Sequence, residues 1–176
     1  MIPLVSILPG FLLSVITSLD SITDLKFIII LTTIMTYFVS NLLTSGTEEF
    51  GWRGVLYPEM KATGMSFWDI SFKGGIIWAL WHYPLLVIMY LPFGLMVLLP
   101  SLVGFTASII AMNYITNFIY ERSSNIWAVV ILHALNNTMS FTLVLLFPKT
   151  PFTILSSLLA WIIVWWIEKK YPKIIL

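Results

Sequence analysis

Residues 95–120 have the sequence LMVLLPSLVGFTASIIAMNYITNFIY, which contains no charged side chain. A helix needs about 20 mainly apolar residues to cross the hydrocarbon of a bilayer, so this stretch is long enough to do so. The whole chain has the same character, since 59% of its 176 residues are hydrophobic and only 10% are charged. Nine Lys and Arg with eight Asp and Glu are too few to cover a water-soluble domain of this size. The composition therefore predicts an integral membrane protein whose first partner is the lipid bilayer.

The same counts exclude several kinds of site. A net charge of +1 provides no basic surface, so no nucleic-acid partner is expected. The absence of cysteine excludes disulfides, thiolate catalysis and cysteine-based zinc sites.

Apolar runs separated by short polar segments predict an all-α, polytopic transmembrane helix bundle of about six spans. We expect a single integral membrane domain over residues 1–176. Polar segments such as Glu121–Asn125 are predicted to be loops. The spans are expected at about Ile2–Leu19, Leu25–Leu43, Phe67–Leu91, Leu95–Tyr120, Ile126–Phe147 and, after Pro151, up to Ile167.

The second span raises a question of length. The apolar stretch from Leu25 continues through a motif with two glutamates as far as Tyr57. As one helix it would cover about 50 Å, against about 30 Å of hydrocarbon. Either the helix projects from the membrane or it breaks near the glutamates, where Gly46, Gly51 and Gly54 permit a bend.

Lysine and arginine in the loops predict the orientation, because cytoplasmic loops carry more of them. Six spans put both termini on one side of a cell membrane, and the cations on that side outnumber those on the other. We therefore expect both termini in the cytoplasm. The first side has Lys61, Arg122, Lys169, Lys170 and Lys173, and the other has Lys26 and Lys149.

Two adjacent glutamates form the first motif that can carry chemistry. Glu49 and Arg53 are four residues apart on a predicted helix, which is the spacing of an ion pair. Such a pair has an architectural or a functional interpretation. Glu48 points about 100° away around the helix and has no visible partner. A carboxylate without a counter-ion in a low-dielectric site is suited to act as a general base.

The two histidines of the chain lie inside predicted spans. His82 lies in the third span, and His133 lies in the fifth, with Asn137 on the same face one turn later. A hydrogen bond between helices is the alternative to a functional role for each. At about 1.5 Å per residue, Glu48, both histidines and Asn137 all lie roughly 10–18 Å from the same membrane face. We therefore expect these four side chains to line one cavity.

The pattern resembles the CAAX-protease and bacteriocin-processing family, which includes the type II CAAX prenyl endopeptidases. The resemblance covers roughly residues 44–140. Its three motifs are Glu48-Glu49-x-x-x-Arg53, an aromatic-x-x-x-His82 that begins at Trp78, and His133-x-x-x-Asn137. The second motif of the family usually begins with phenylalanine, so Trp78 predicts a change of cavity shape rather than lost chemistry.

The resemblance implies a helical membrane bundle and an intramembrane endopeptidase that uses a glutamate-activated water. It implies that Glu48 is the general base and that His82 helps to hold the water. His133 and Asn137 would stabilise the oxyanion, and Glu49 and Arg53 would support the architecture. No cofactor is expected, although zinc bound by His82, His133 and Glu48 stays open.

The substrate that the resemblance implies is a peptide or a membrane-anchored protein, and whether it is prenylated stays open. Two other functions fit the sequence. The chain could be a bacteriocin self-immunity or partner-binding protein in which catalysis is dispensable. It could also be a small proton-coupled transporter, for which intramembrane Glu and His are typical. The complete set of motifs favours the peptidase over the transporter.

Overall fold

The computed structural model describes residues 24–146 and 152–172 of the chain. The regular structure of these residues is entirely helical, which confirms the predicted all-α class. The helices are α1 (Asp24–Leu43), α2 (Glu48–Gly51), α3 (Tyr57–Ala62), α4 (Phe67–Tyr90), α5 (Leu95–Ser123), α6 (Ile126–Leu146) and α7 (Phe152–Lys170).

Within the described ranges, three stretches are long and apolar enough to cross a membrane. They are Ile28–Ala62, Phe67–Phe93 and Leu95–Ser123, with mean hydropathies of 1.6, 1.6 and 2.1. Helices α6 and α7 lie where the fifth and sixth spans are predicted. The predicted first span, Ile2–Leu19, lies outside the described residues, so the number of six spans stays a prediction.

The overlong second span is interrupted near the glutamates. Helix α1 ends before a 3₁₀ turn at Ser45–Thr47, and a π-helical turn at Trp52–Leu56 follows the short helix α2. A Cβ atom at Gly46 would lie 3.1 Å from Val130 Cγ1 and 3.2 Å from the Val130 carbonyl oxygen. The missing side chain therefore lets the turn pass close to α6. Regular α-helix is therefore broken near the glutamates, and whether the stretch also projects from the membrane stays a prediction.

Two helices extend further than the sequence predicts. Helix α5 continues through Ser123 and α7 through Lys170. The predicted loop at Glu121–Asn125 is therefore wrong over its first three residues, which are helical, whereas α7 continues three residues beyond the predicted span end at Ile167. Each added turn contains a glutamate that accepts a hydrogen bond from a tyrosine of a neighbouring helix. The pairs are Glu121 with Tyr57, and Glu168 with Tyr114.

The helices pack in pairs around the break. Helix α4 packs along α5, α1 packs along α6, and α7 packs against α5. A hydrophobic core forms where α3, α4, α5 and α7 meet, and Ile70, Tyr114 and Ile167 are among its buried members. This packing brings the broken segment between α4, α5 and α6.

We expect Gly75→Ala to weaken the contact between α4 and α5. A Cβ atom at Gly75 would lie 2.8 Å from the Cα atom of Ile110, which is backbone and cannot rotate away. Overpacking of this kind costs typically about 1–3 kcal/mol, so the melting temperature of the purified protein should fall. Gly104→Ala on α5 is the matched control, because a Cβ atom there meets nothing within 4 Å. Equal melting temperatures for the two variants would contradict the close approach.

Candidate active site

Glu49 and Arg53 form a buried ion pair in the broken segment. Both side chains are 0% exposed, and Arg53 Nη1 donates to Glu49 Oε2 at 2.7 Å. The pair expected from the spacing is therefore present. Arg53 Nη2 also donates to Asn113 Oδ1 at 2.6 Å and to Thr116 Oγ1. The guanidinium thus connects the broken segment to α5, as an architectural role requires.

The other oxygen of Glu49 connects the broken segment to α6. Glu49 Oε1 lies 2.8 Å from Nδ1 of His133, whose side chain is buried. Since an ionised carboxylate only accepts hydrogen bonds, the proton of this bond lies on Nδ1. Nε2 of a neutral ring is then an acceptor, and it becomes a donor only when the ring is doubly protonated. Glu49 therefore fixes the orientation of His133, a contact that the sequence does not predict.

Glu48 has different partners from its neighbour. Its Oε2 accepts hydrogen bonds from the indole nitrogens of Trp52 and Trp78, each at 3.3 Å. The sequence shows no partner for Glu48, and the structure provides two neutral donors. Among the described residues, no cation forms an ion pair with this carboxylate. Glu48 is thus a partly buried carboxylate without a counter-ion.

Trp78 lies at the centre of the cluster and is only 1% exposed. Its ring centroid is 5.1 Å from that of His133 and 6.5 Å from that of His82. The Arg53 guanidinium carbon lies 5.0 Å from the Trp78 ring. Together with its bond to Glu48, these contacts make Trp78 a shared neighbour of Glu48, both histidines and Arg53.

His82 is held by the backbone of the same tryptophan. Its Nδ1 lies 3.0 Å from the Trp78 carbonyl oxygen, one helical turn earlier. Because a carbonyl oxygen only accepts, Nδ1 carries the proton of this bond. Nε2 of the neutral ring is then an acceptor that can hold a water molecule. The geometry suits the role that the resemblance implies for His82.

Asn137 is the predicted site residue that the structure connects least. It follows His133 by one turn of α6 and is partly buried. In the part of the chain that the structure describes, its side chain makes no hydrogen bond. Its neighbour Thr138 accepts a bond from Asn41 of α1 at 3.4 Å. The participation of Asn137 in the site stays a prediction.

The cavity and the possible metal ligands near the site bear on the expected shared cavity and on the zinc alternative. A cavity of about 10 Å³, enough for a single water, lies beside Trp52, Tyr57, Gly74 and Asn113. None of the four predicted site residues lines that cavity. Over the described ranges, no group of three or more His, Asp and Glu side chains could hold a metal ion.

Residues 30–139 match the family described as Type II CAAX prenyl endopeptidase Rce1-like. This match covers more than half of the chain and includes the three motifs. The chain therefore belongs to the type II CAAX prenyl endopeptidase Rce1-like family. Searches with the chain match neither a curated protein nor a solved structure.

Membership of this family implies protease activity of the CAAX endopeptidase type and a protein substrate in the membrane. It agrees with the resemblance found in the sequence. With the helices that are apolar enough to cross a bilayer, it also indicates a membrane location.

Proposed function

We propose that the chain is an intramembrane endopeptidase in which Glu48 activates the water that attacks a peptide bond. The environment of Glu48 carries the proposal. Its carboxylate has no counter-ion in the described part of the chain, and two neutral N–H groups hold one of its oxygens. One of these donors, Trp78, contacts both imidazoles.

In this reaction Glu48 takes a proton from water while the water oxygen bonds to the scissile carbonyl carbon. The carbonyl oxygen becomes an oxyanion. When the C–N bond breaks, Glu48 returns the proton to the leaving nitrogen, and the carboxylate recovers its charge. One water is consumed, and a new carboxyl group and a new amine form.

His82 assists by accepting a hydrogen bond from the water at Nε2. Its Nδ1–H is engaged by the Trp78 carbonyl oxygen, which fixes this tautomer and the direction of the ring. The water would then have two acceptors, one from Glu48 and one from His82, and its lone pair would be available to the substrate carbon.

His133 and Asn137 are proposed to stabilise the oxyanion. The bond from Nδ1 to Glu49 leaves Nε2 of His133 as the nitrogen that can face substrate. In this role the ring is doubly protonated, and a cationic donor stabilises an oxyanion more strongly than a neutral one. The Asn137 amide would supply the second donor. Glu49 and Arg53 support the architecture.

The proposed substrate is a peptide or a membrane-anchored protein, prenylated or not, and both termini of the chain are proposed to face the cytoplasm. The contacts of three cations support this orientation. Lys61 pairs with Glu121, and Arg122 and Lys170 both lie over the Tyr171 ring. With Lys169, these residues bring four of the five cations on the predicted cytoplasmic side to one end of the bundle.

The test is a cleavage assay with the full-length protein in lipid nanodiscs. The substrates are tail peptides with and without a prenyl group, and Glu48→Ala is the inactive control. We expect wild-type protein to cleave at least one class of peptide and the control to cleave none. Absence of cleavage by wild-type protein across both classes would overturn the proposed function.

A glutamate mechanism also predicts that strong chelators leave the cleavage rate unchanged after complete exchange. The reason is that the proton acceptor and the water ligands are all side chains of the protein. The measurement compares the rate before and after dialysis against chelator, with zinc added back to a third sample. Loss of activity that zinc restores would reassign His82, His133 and Glu48 as zinc ligands.

A further inference from the structure

Two indole N–H groups bind the same oxygen of Glu48. Trp52 and Trp78 both donate to Oε2 at 3.3 Å, at the long end of the hydrogen-bond range. Among the described residues, Oε1 accepts no hydrogen bond. One carboxylate oxygen is therefore fixed by the protein, and the other is left for a water molecule.

The two oxygens differ in a way that affects orientation, because the last side-chain torsion angle of glutamate has a broad distribution. A carboxylate that rotates freely presents its oxygens in many directions, and few of them point at a water held by His82. Small displacements of a reacting group can cost large factors in rate. Two N–H donors on one oxygen restrict that rotation.

The two tryptophans differ in what they connect. Trp52 lies four residues after Glu48 in the broken segment, so it moves together with the glutamate. Trp78 belongs to α4 and is held in place by the Arg53 guanidinium and the His133 ring. The Trp78 side chain holds Glu48, and its carbonyl oxygen holds His82 Nδ1. One residue therefore contacts both the proposed base and His82.

From these contacts we propose that Trp78 is a positioning residue for the proposed reaction. Its indole N–H aligns Glu48 Oε1 with the water that His82 holds. This inference rests on the proposed function of Glu48 as the base. It assigns to the indole nitrogen a role that goes beyond filling space.

The test removes the N–H group and keeps the ring. Trp78→Phe deletes the donor, and benzothienylalanine at residue 78 has the shape of tryptophan with sulfur in place of the N–H. We expect both to lower kcat about tenfold, the size expected when a hydrogen bond to a charged group is lost, with KM changed less than about twofold. Trp81→Phe on the same helix is the control, because Trp81 is 68% exposed and lies outside the cluster. It should keep the wild-type kcat.

The isostere makes the result independent of packing, since it fills the same volume. Wild-type kcat in the benzothienylalanine variant would overturn the inference and leave the proposed function intact. A raised KM with unchanged kcat would also overturn it, because that pattern indicates loss of substrate binding. Absence of cleavage by wild-type protein would instead overturn the proposed function, and with it the role of Trp78. A lower kcat in the isostere with normal kcat in Trp81→Phe supports the inference.

Discussion

Replacing Glu48 by glutamine should lower peptide cleavage by at least about 10²-fold, the contribution typical of a general base. Glutamine has the size of glutamate and can still accept the indole hydrogen bonds that the structure places on Oε2. It cannot take a proton from water. The fold should therefore survive, and kcat should fall while the melting temperature stays close to that of the wild type.

The matched control for this experiment is Glu59→Gln, which changes an exposed glutamate of α3 that lies outside the cluster. It should cleave at the wild-type rate. A Glu48→Gln protein that cleaves at the wild-type rate would show that another group is the base. If cellular protection or partner binding persists undiminished in Glu48→Gln, that role depends on binding and not on catalysis.

Replacing Arg53 by alanine should remove most of the folded protein. Glu49 would keep its bond to His133 but would lose its counter-ion in a position that is 0% exposed. Asn113 and Thr116 would also lose their donor. Breaking a buried pair from one side costs about 3–5 kcal/mol. We expect a lower yield of monodisperse protein and a much lower melting temperature.

A second ion pair of the same spacing provides the control. Asp69 and Lys73 are also four residues apart, but their nitrogen and oxygen atoms are 4.0 Å apart and both side chains are 53% exposed. Exposed pairs contribute roughly 0–1 kcal/mol to the free energy of unfolding. The melting temperature of Lys73→Ala should therefore be close to that of the wild type. Equal melting temperatures for Arg53→Ala and Lys73→Ala would contradict the buried pair.

The sequence predicts the part of the site that depends on helical spacing and charge. A glutamate and an arginine four residues apart in an apolar stretch have few alternatives to pairing with each other, and Glu49 and Arg53 do so. The depth estimate for Glu48, His82 and His133 uses only the rise of a helix, and all three contact Trp78.

The sequence could not predict the contacts that depend on how helices rotate against each other. The sequence around a tryptophan in an apolar run is the same whether its N–H binds a lipid headgroup or a carboxylate. The sequence therefore contains no signal for the hydrogen bond from Trp78 to Glu48. For Arg53 a signal exists. Asn113, Thr116 and Asn117 lie three and four residues apart on α5, a polar stripe that must turn away from lipid. That stripe indicates an inward face, and Arg53 binds its first two residues.

The partners of Glu49 and Arg53 also have a consequence for biosynthesis. The ribosome makes the broken segment before α5 and α6, so Asn113, Thr116 and His133 enter the membrane after the charges that they bind. Until then, among the described residues, the Glu49–Arg53 pair has the Trp78 ring as a neighbour but no hydrogen-bond partner from another helix, and charged side chains cost about 2.5–3.5 kcal/mol each at the centre of a bilayer. The segment acquires its final hydrogen bonds only when the later helices have been inserted, so a nascent chain completes this cluster late in translation.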